Sequence, residues 1–159
     1  MGKAEQIFDA LNADLANAYT LYYQLHKHYW NVEGAEFFGV HVFLQEAYED
    51  VEDAADELAE RLQALGGVPH TSMTTLADRA TVVVEDENVY DIRTSLSNDL
   101  EVMGDTTESY RKHVELAENL GNYASGEMLL EQLETLEEHI HHIKHYLEDD
   151  TLVFESATQ

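Results

Sequence analysis

The sequence predicts an all-α protein: four long helices in one bundle, with a long crossover between the second and third that carries a short helix of its own. Three observations predict it. Apolar residues recur at steps of three and four through four windows, each long enough for many helical turns. Glycines or the single proline punctuate the gaps between windows. The middle gap is far longer than the few residues that join antiparallel neighbours, so it crosses the bundle.

The first helix is expected over residues 4–31, on Ile7, Leu11, Leu15, Ala18, Tyr22, Leu25 and Tyr29. The run from Asn31 to Gly34 interrupts it. The second is expected over 36–65, with Val40, Phe43, Leu44, Ala47, Val51, Ala54, Ala55, Leu58, Leu62 and Leu65 on its buried stripe. Gly66 and Gly67 close it and Pro69 prevents its continuation. Residues 70–88 form the connection. Thr71 and Ser72 are placed to cap a short helix over 73–79, and the TVVV run at 81–84 is too short and isolated to build a sheet. The third helix, 91–120, rests on Ile92, Leu96, Leu100, Met103, Tyr110, Val114 and Ala117 and ends at Gly121. The fourth, 124–147, rests on Met128, Leu133, Leu136, Ile140, Ile143 and Leu147. No internal repeat or low-complexity linker divides the 159 residues, so a single domain spanning 1–159 is expected.

Charge narrows the partners. The chain has 33 Asp plus Glu against 8 Lys plus Arg, a formal net charge of −25. Such a surface repels phosphate backbones, and no basic tail overcomes the repulsion, which argues against direct DNA binding. A high-salt cytoplasm tolerates it, because molar salt screens charge over about 3 Å. It also attracts cations. The absence of Cys excludes disulfides, thiolate nucleophiles and Cys-ligated metals. The first residues carry no signal-peptide core and no stretch approaches the roughly 18 apolar residues of a membrane span, so a soluble cytoplasmic protein is expected.

The chemistry concentrates on the second helix and the loop before it. His41 lies near the helix start; Asp56 and Glu60, four apart and on one face, lie near its end. The fifteen residues between His41 and Asp56 span about 22 Å at 1.5 Å per residue, with only about 60° between them in azimuth. One ion cannot reach both within a chain. If two copies of this helix pack antiparallel about a two-fold axis, His41 of one meets Asp56 and Glu60 of the other, and the contact recurs at the opposite end. The spacing allows two symmetric nitrogen and oxygen metal sites between subunits, or no shared site.

These residues resemble the Dps family of mini-ferritins, in the form found in halophilic archaea. The match consists of WNVEG at 30–34, the histidine eleven residues after Trp30, the D-x-x-x-E of Asp56 and Glu60, and LGG at 65–67. It covers most of the chain in helix order and spacing. The resemblance implies a ferritin-like bundle that assembles into a hollow dodecamer. It also implies ferrous iron oxidised at two-fold interfaces, hydrogen peroxide preferred, with His41 from one subunit and Asp56 and Glu60 from the other as catalytic metal ligands. Ferric mineral would be stored inside, protecting DNA from oxidative damage.

Two positions depart from the family pattern. Tyr29 stands where a histidine usually precedes the Trp, with His28 one residue back, and Gln45 stands where a second acid is common. A phenol keeps its proton at neutral pH and is a poor ligand for ferrous iron. His28 lies about 100° around the helix from Tyr29 and would substitute only through unwinding or rotation of the helix end. Tyr29 and His28 are both carried forward as candidates to complete the metal shell. The alternative reading is an iron-storage or structural shell whose ferroxidase centre is weakened or absent.

Other constellations have plainer readings. Glu138 and His141 have the E-x-x-H spacing of an intrasubunit di-iron centre, but the second helix has no matching motif. His139, His142 and His145 step by three and form either an exposed metal-catching stripe or a set of surface imidazoles suited to a helix C-terminus. Trp30 reads as a core or interface aromatic, and Tyr19, Tyr22 and Tyr23 as packing. By the resemblance, Glu118, Glu127 and Glu131 fall near a three-fold ion-entry pore, although Asn122 stands where an acid is common.

Overall fold

The computed structural model describes residues 1–148. It contains α1 (Lys3–Asn31), α2 (Phe37–Ala64), the short α3 (Met73–Arg79), α4 (Ile92–Asn119) and α5 (Tyr123–Leu147), with no strand among the described residues. Each boundary lies within a residue or so of the sequence expectation, and at α2 and α4 the differing residues are caps. Asp91, for example, precedes α4 as its N-cap and accepts the Thr94 N–H at 2.8 Å. Asn122 caps α5 in the same way through the Ser125 N–H. At the end of α2, Gly66 takes φ +90, and a Cβ on Gly67 would lie 2.5 Å from Leu62 Cδ2 and 2.8 Å from the Phe8 ring. The chain turns there against packed side chains.

The helices pair as α1 with α2 and α4 with α5, and α1 also packs on α4, whereas α2 and α5 touch sparsely. The apolar stripes meet along the axis, with Leu11, Leu15, Leu21, Leu25, Leu44, Leu58, Leu62, Leu96, Met103, Leu129 and Ile143 almost fully buried. Burying one such side chain contributes about 1.5–3 kcal/mol, so this shared core dominates the stability of the bundle.

Three amide side chains on α1 fix the path of the crossover. Asn12 donates to the Val68 carbonyl at 3.2 Å and accepts the His70 N–H at 2.9 Å. Asn17 donates to Thr81 Oγ1 at 2.9 Å and accepts the Thr81 N–H at 2.8 Å. Gln24 accepts the Glu85 N–H at 3.1 Å. All three are buried, so backbone groups of a loop lying on the bundle are satisfied from within it. The crossover therefore runs up the outside of α1. None of the described helices is long and apolar enough to cross a membrane.

Candidate metal centre

His41 sits in the first turns of α2, its ring held between two aromatics. Tyr29 stacks on one side at 3.9 Å and 17°, and Phe37 packs at 4.8 Å and 28°. Its Nδ1 lies 3.1 Å from the Tyr29 carbonyl oxygen. A carbonyl only accepts, so Nδ1 carries a proton, and in the neutral tautomer that this selects Nε2 holds the lone pair. A backbone carbonyl on the far nitrogen is the usual support of a metal-ligating imidazole. His41 is half-buried; Asp56 and Glu60 are exposed on the same helix.

Among the described residues no group of three His, Asp or Glu is arranged to hold a metal ion. This is what the helix arithmetic requires within one chain: His41 at one end of α2, the Asp56 and Glu60 pair at the other.

His28 is placed elsewhere. It points into the bundle, 3% exposed, with Nδ1 2.8 Å from Asp99 Oδ2 and Nε2 against Glu85 Oε1. Asp99 also accepts from Gln24 Nε2 at 2.9 Å, and Lys27 Nζ lies 2.9 Å from Glu85 Oε2. Burial lowers the His28 pKa, but the hydrogen bond and charge of Asp99, with those of Glu85, outweigh it and leave it above its ordinary value. The protonated ring donates to both acids. Both nitrogens are thus engaged inside the subunit, which removes His28 from the donors available to a metal beside His41. The reason is the helix phase: 100° separates it from Tyr29, and the buried stripe takes His28 while Tyr29 faces α2.

Tyr29 is brought to His41, but through its ring face and its main-chain carbonyl. Around it lies an aromatic face shared by α1 and α2. Tyr48 meets Tyr29 at 5.2 Å and Tyr22 at 5.8 Å, and Tyr22 meets Tyr19 at 6.5 Å, all edge to face. His26 is held between Tyr48 at 4.3 Å and Trp30 at 4.2 Å. Trp30 itself is 64% exposed and so is not a core residue of one subunit.

The other sequence candidates separate. Glu138 and His141 lie on the exposed side of α5 and face away from the bundle axis, so they do not build an intrasubunit iron pair. The expected histidine stripe is broken at His139, which is buried with Nε2 2.7 Å from Asp50 Oδ2; His142 and His145 remain exposed. Glu118, Glu127 and Glu131 are exposed. Asn122 accepts from Arg61 Nη2 at 3.1 Å besides capping α5, acceptor roles that an acid would also fill, so the amide at this position has no structural explanation.

Sequence reasoning missed two buried carboxylates, Asp14 and Asp99, each fully buried. Asp14 accepts from Ser109 Oγ at 2.8 Å and lies 2.7 Å from His113 Nδ1; burial raises its pKa, and the hydrogen bond and charge of His113 pull back against that. The missed signal was phase: Asp14 lies between Leu11 and Ala18, and Asp99 between Leu96 and Met103, on the apolar stripes.

Four long helices with a crossover laid along the first are the architecture of a ferritin-like subunit. The ferritin-like domain model matches residues 8–153, and the chain belongs to that family. Within it the chain is a Dps-type member. It is 64% identical over 99% of its length to the DNA protection during starvation protein of Halobacterium salinarum, covering 86% of that relative. It superposes with TM-score 0.92 on the crystal structure of an archaeal Dps homologue from Halobacterium salinarum, 64% identical, covering 98% of this chain and 86% of that one. The Dps protein of Vibrio cholerae, described as a member of a broad superfamily of ferritin-like diiron-carboxylate proteins, superposes with TM-score 0.87 at 25% identity, covering 92% and 91%.

Proposed function

We propose that the protein oxidises ferrous iron at sites shared between two subunits, with hydrogen peroxide as the preferred oxidant. Ferric mineral is kept inside a hollow homododecamer in the cytoplasm, and DNA is shielded from hydroxyl radical. Each site takes His41 from one chain and Asp56 with Glu60 from its two-fold partner. The observation that carries this is the divided α2 face: an imidazole with a free Nε2 at one end, two exposed carboxylates at the other. One imidazole and two hard carboxylates suit ferrous iron and leave positions open for an oxidant. Iron is the substrate here. Two ferrous ions and one peroxide, with two protons, give two ferric ions and two waters.

An exposed apolar surface on α1 and the crossover supports assembly with a second copy. A groove of about 610 Å³ between α1 and the crossover is lined by Tyr19, Tyr23, Trp30, Met73 and Val84, among others. Tyr23, Trp30, Phe37, Phe38, Met73 and Val84 are all exposed. Their burial between copies would drive assembly. With a net charge of −25, DNA is protected through iron chemistry and not through contact; a gel-shift at low salt is expected to show free DNA at every protein concentration.

Subunit mixing tests the shared site. His41→Ala alone and Asp56→Asn alone are each expected to lose tight anaerobic ferrous binding. When the two variants are unfolded, mixed and reassembled, each mixed pair has one doubly damaged site and one intact site, so binding returns. A mixed assembly as inactive as either parent rejects a site divided between chains. A second reading, a shell with weakened ferroxidase activity, is favoured by the Tyr29 ring lying face-on to His41 where the family usually has a histidine.

A further inference from the structure

We propose that His26 is the second imidazole of each intersubunit site, holding one ferrous ion with the partner's Glu52, next to the ion on His41, with the partner's Asp56 between the two. The inference rests on the divided site proposed above and deepens it, filling the place that neither Tyr29 nor His28 takes.

The side chain is held ready and has no task within the subunit. His26 stands one turn before Tyr29 on α1 and is half-buried. Its ring lies between Trp30 at 4.2 Å and Tyr48 at 4.3 Å, with Tyr22 edge-on at 5.4 Å. Lys27 and His28 beside it are both tied to Glu85, whereas no hydrogen bond among the described residues engages either nitrogen of His26. Helix phase explains the difference. At 100° per residue His26 falls within about 60° of Tyr29 and Trp30, on the face turned to α2, while His28 falls on the buried stripe.

That face is the one a second copy covers: Trp30 is 64% exposed and Tyr23 50%. Covering it strips water from an imidazole with no partner of its own, and a buried polar group left so is costly. The partner subunit has to supply one.

The register of the two-fold contact says which. His41 opposite the partner's Asp56 and Glu60 sets two α2 helices antiparallel, so each step forward on one is a step back on the other. Tyr48, about two turns on from His41, then lies opposite the partner's Val51 and Glu52. Val51 is buried; Glu52 is exposed and shares a row with Asp56 and Glu60 at four-residue steps. His26, stacked on Tyr48, therefore meets Glu52, and Asp56 lies one turn from it towards His41. The two imidazoles flank Tyr29, at 5.7 Å for His26 and 3.9 Å for His41. Two ions fit that spacing, each about 2.0–2.1 Å from its nitrogen and about 3.5–4 Å from the other.

The pairing decides what peroxide becomes. Two adjacent ferrous ions give one electron each, the O–O bond breaks, two protons from solvent complete two waters, and both ions become ferric. A single ferrous ion gives one electron, and peroxide then splits into hydroxide and hydroxyl radical.

The test uses the assembled protein, its size checked by light scattering, and crystals soaked anaerobically in ferrous iron and read by anomalous scattering. Wild type should show two peaks per site, one at His41 and one at His26. His26→Phe keeps the aromatic stack; it should lose the second peak alone and, given peroxide, trap severalfold more hydroxyl radical. Adding Tyr29→His to it returns an imidazole one turn away and should restore the pair. Glu52→Gln leaves the stack untouched, should also lose only the second peak, and serves if His26→Phe does not assemble. A wild-type site with iron at His41 and none at His26, or a second peak that survives both His26→Phe and Glu52→Gln, overturns the role of His26 and leaves the divided site standing. Wild type with no iron shared between His41 and the partner's Asp56 overturns both.

Discussion

Replacing His28 with alanine removes the central cation of a buried cluster while leaving the acids that depend on it. Asp99 is fully buried and would keep only the Gln24 donor, at 2.9 Å, with no opposite charge in contact. Glu85 would keep Lys27 at 2.9 Å, so most of the penalty falls on Asp99. Breaking one partner from a buried pair costs about 3–5 kcal/mol. For a chain of 159 residues, each kcal/mol moves Tm by roughly 2–4 °C, so a fall of roughly 6–20 °C is expected by calorimetry at one protein concentration. The control is His28→Leu with Asp99→Leu. Replacing both with apolar side chains removes the uncompensated buried charge and leaves only the neutral Gln24 amide without its acceptor, so most of the loss should return. Amide exchange should localise the damage to residues 81–88, which the cluster holds to α1. Anaerobic ferrous binding by the refolded His28→Ala assembly should persist, since the ring faces away from His41. A double variant no better than the sum of its single changes refutes the buried-charge explanation, and lost ferrous binding in a folded His28→Ala protein returns His28 to the metal site.

Other consequences are open to direct measurement. Tyr29→His places an imidazole beside His41, and tighter ferrous binding with faster peroxide-driven oxidation is expected; an unchanged rate means that position 29 does not limit the site. Gly67→Ala drives a methyl group into Leu62 and Phe8, and a loss of about 1–3 kcal/mol in urea unfolding is expected for such overpacking. Asp14 has a folded-state pKa raised above its unfolded value, so its contribution is present below the unfolded pKa and lost as pH rises through the folded one. The stability of wild type relative to Asp14→Asn should therefore grow as pH is lowered through that window, and a difference independent of pH rejects a buried, titrating Asp14.

The secondary structure was legible because its signals are local. Stripes at steps of three and four, the cap at Asp91, and the stop at Gly66 and Gly67 depend on neighbours within a turn or two. The side chains holding the crossover were harder to read. Asn12, Asn17 and Gln24 look in sequence like polar interruptions of α1, and only the packed crossover reveals them as its anchors. The aromatic face was divided in the same way: Tyr19, Tyr22 and Tyr29 are visible on one helix, but their continuity depends on Tyr48 arriving from another.

By itself the sequence determined the helix order, the crossover, the family and the impossibility of one ion joining His41 to Asp56 within a chain. Each follows from spacing along a rod of known rise. Only the tertiary structure decided which of the adjacent His28 and Tyr29 turns towards α2, and how His41 is oriented. Periodicity locates a stripe to within a residue. A single residue is 100° of rotation, and that choice is made by the energy of packing one helix against another and by the buried acids waiting on α4 and the crossover.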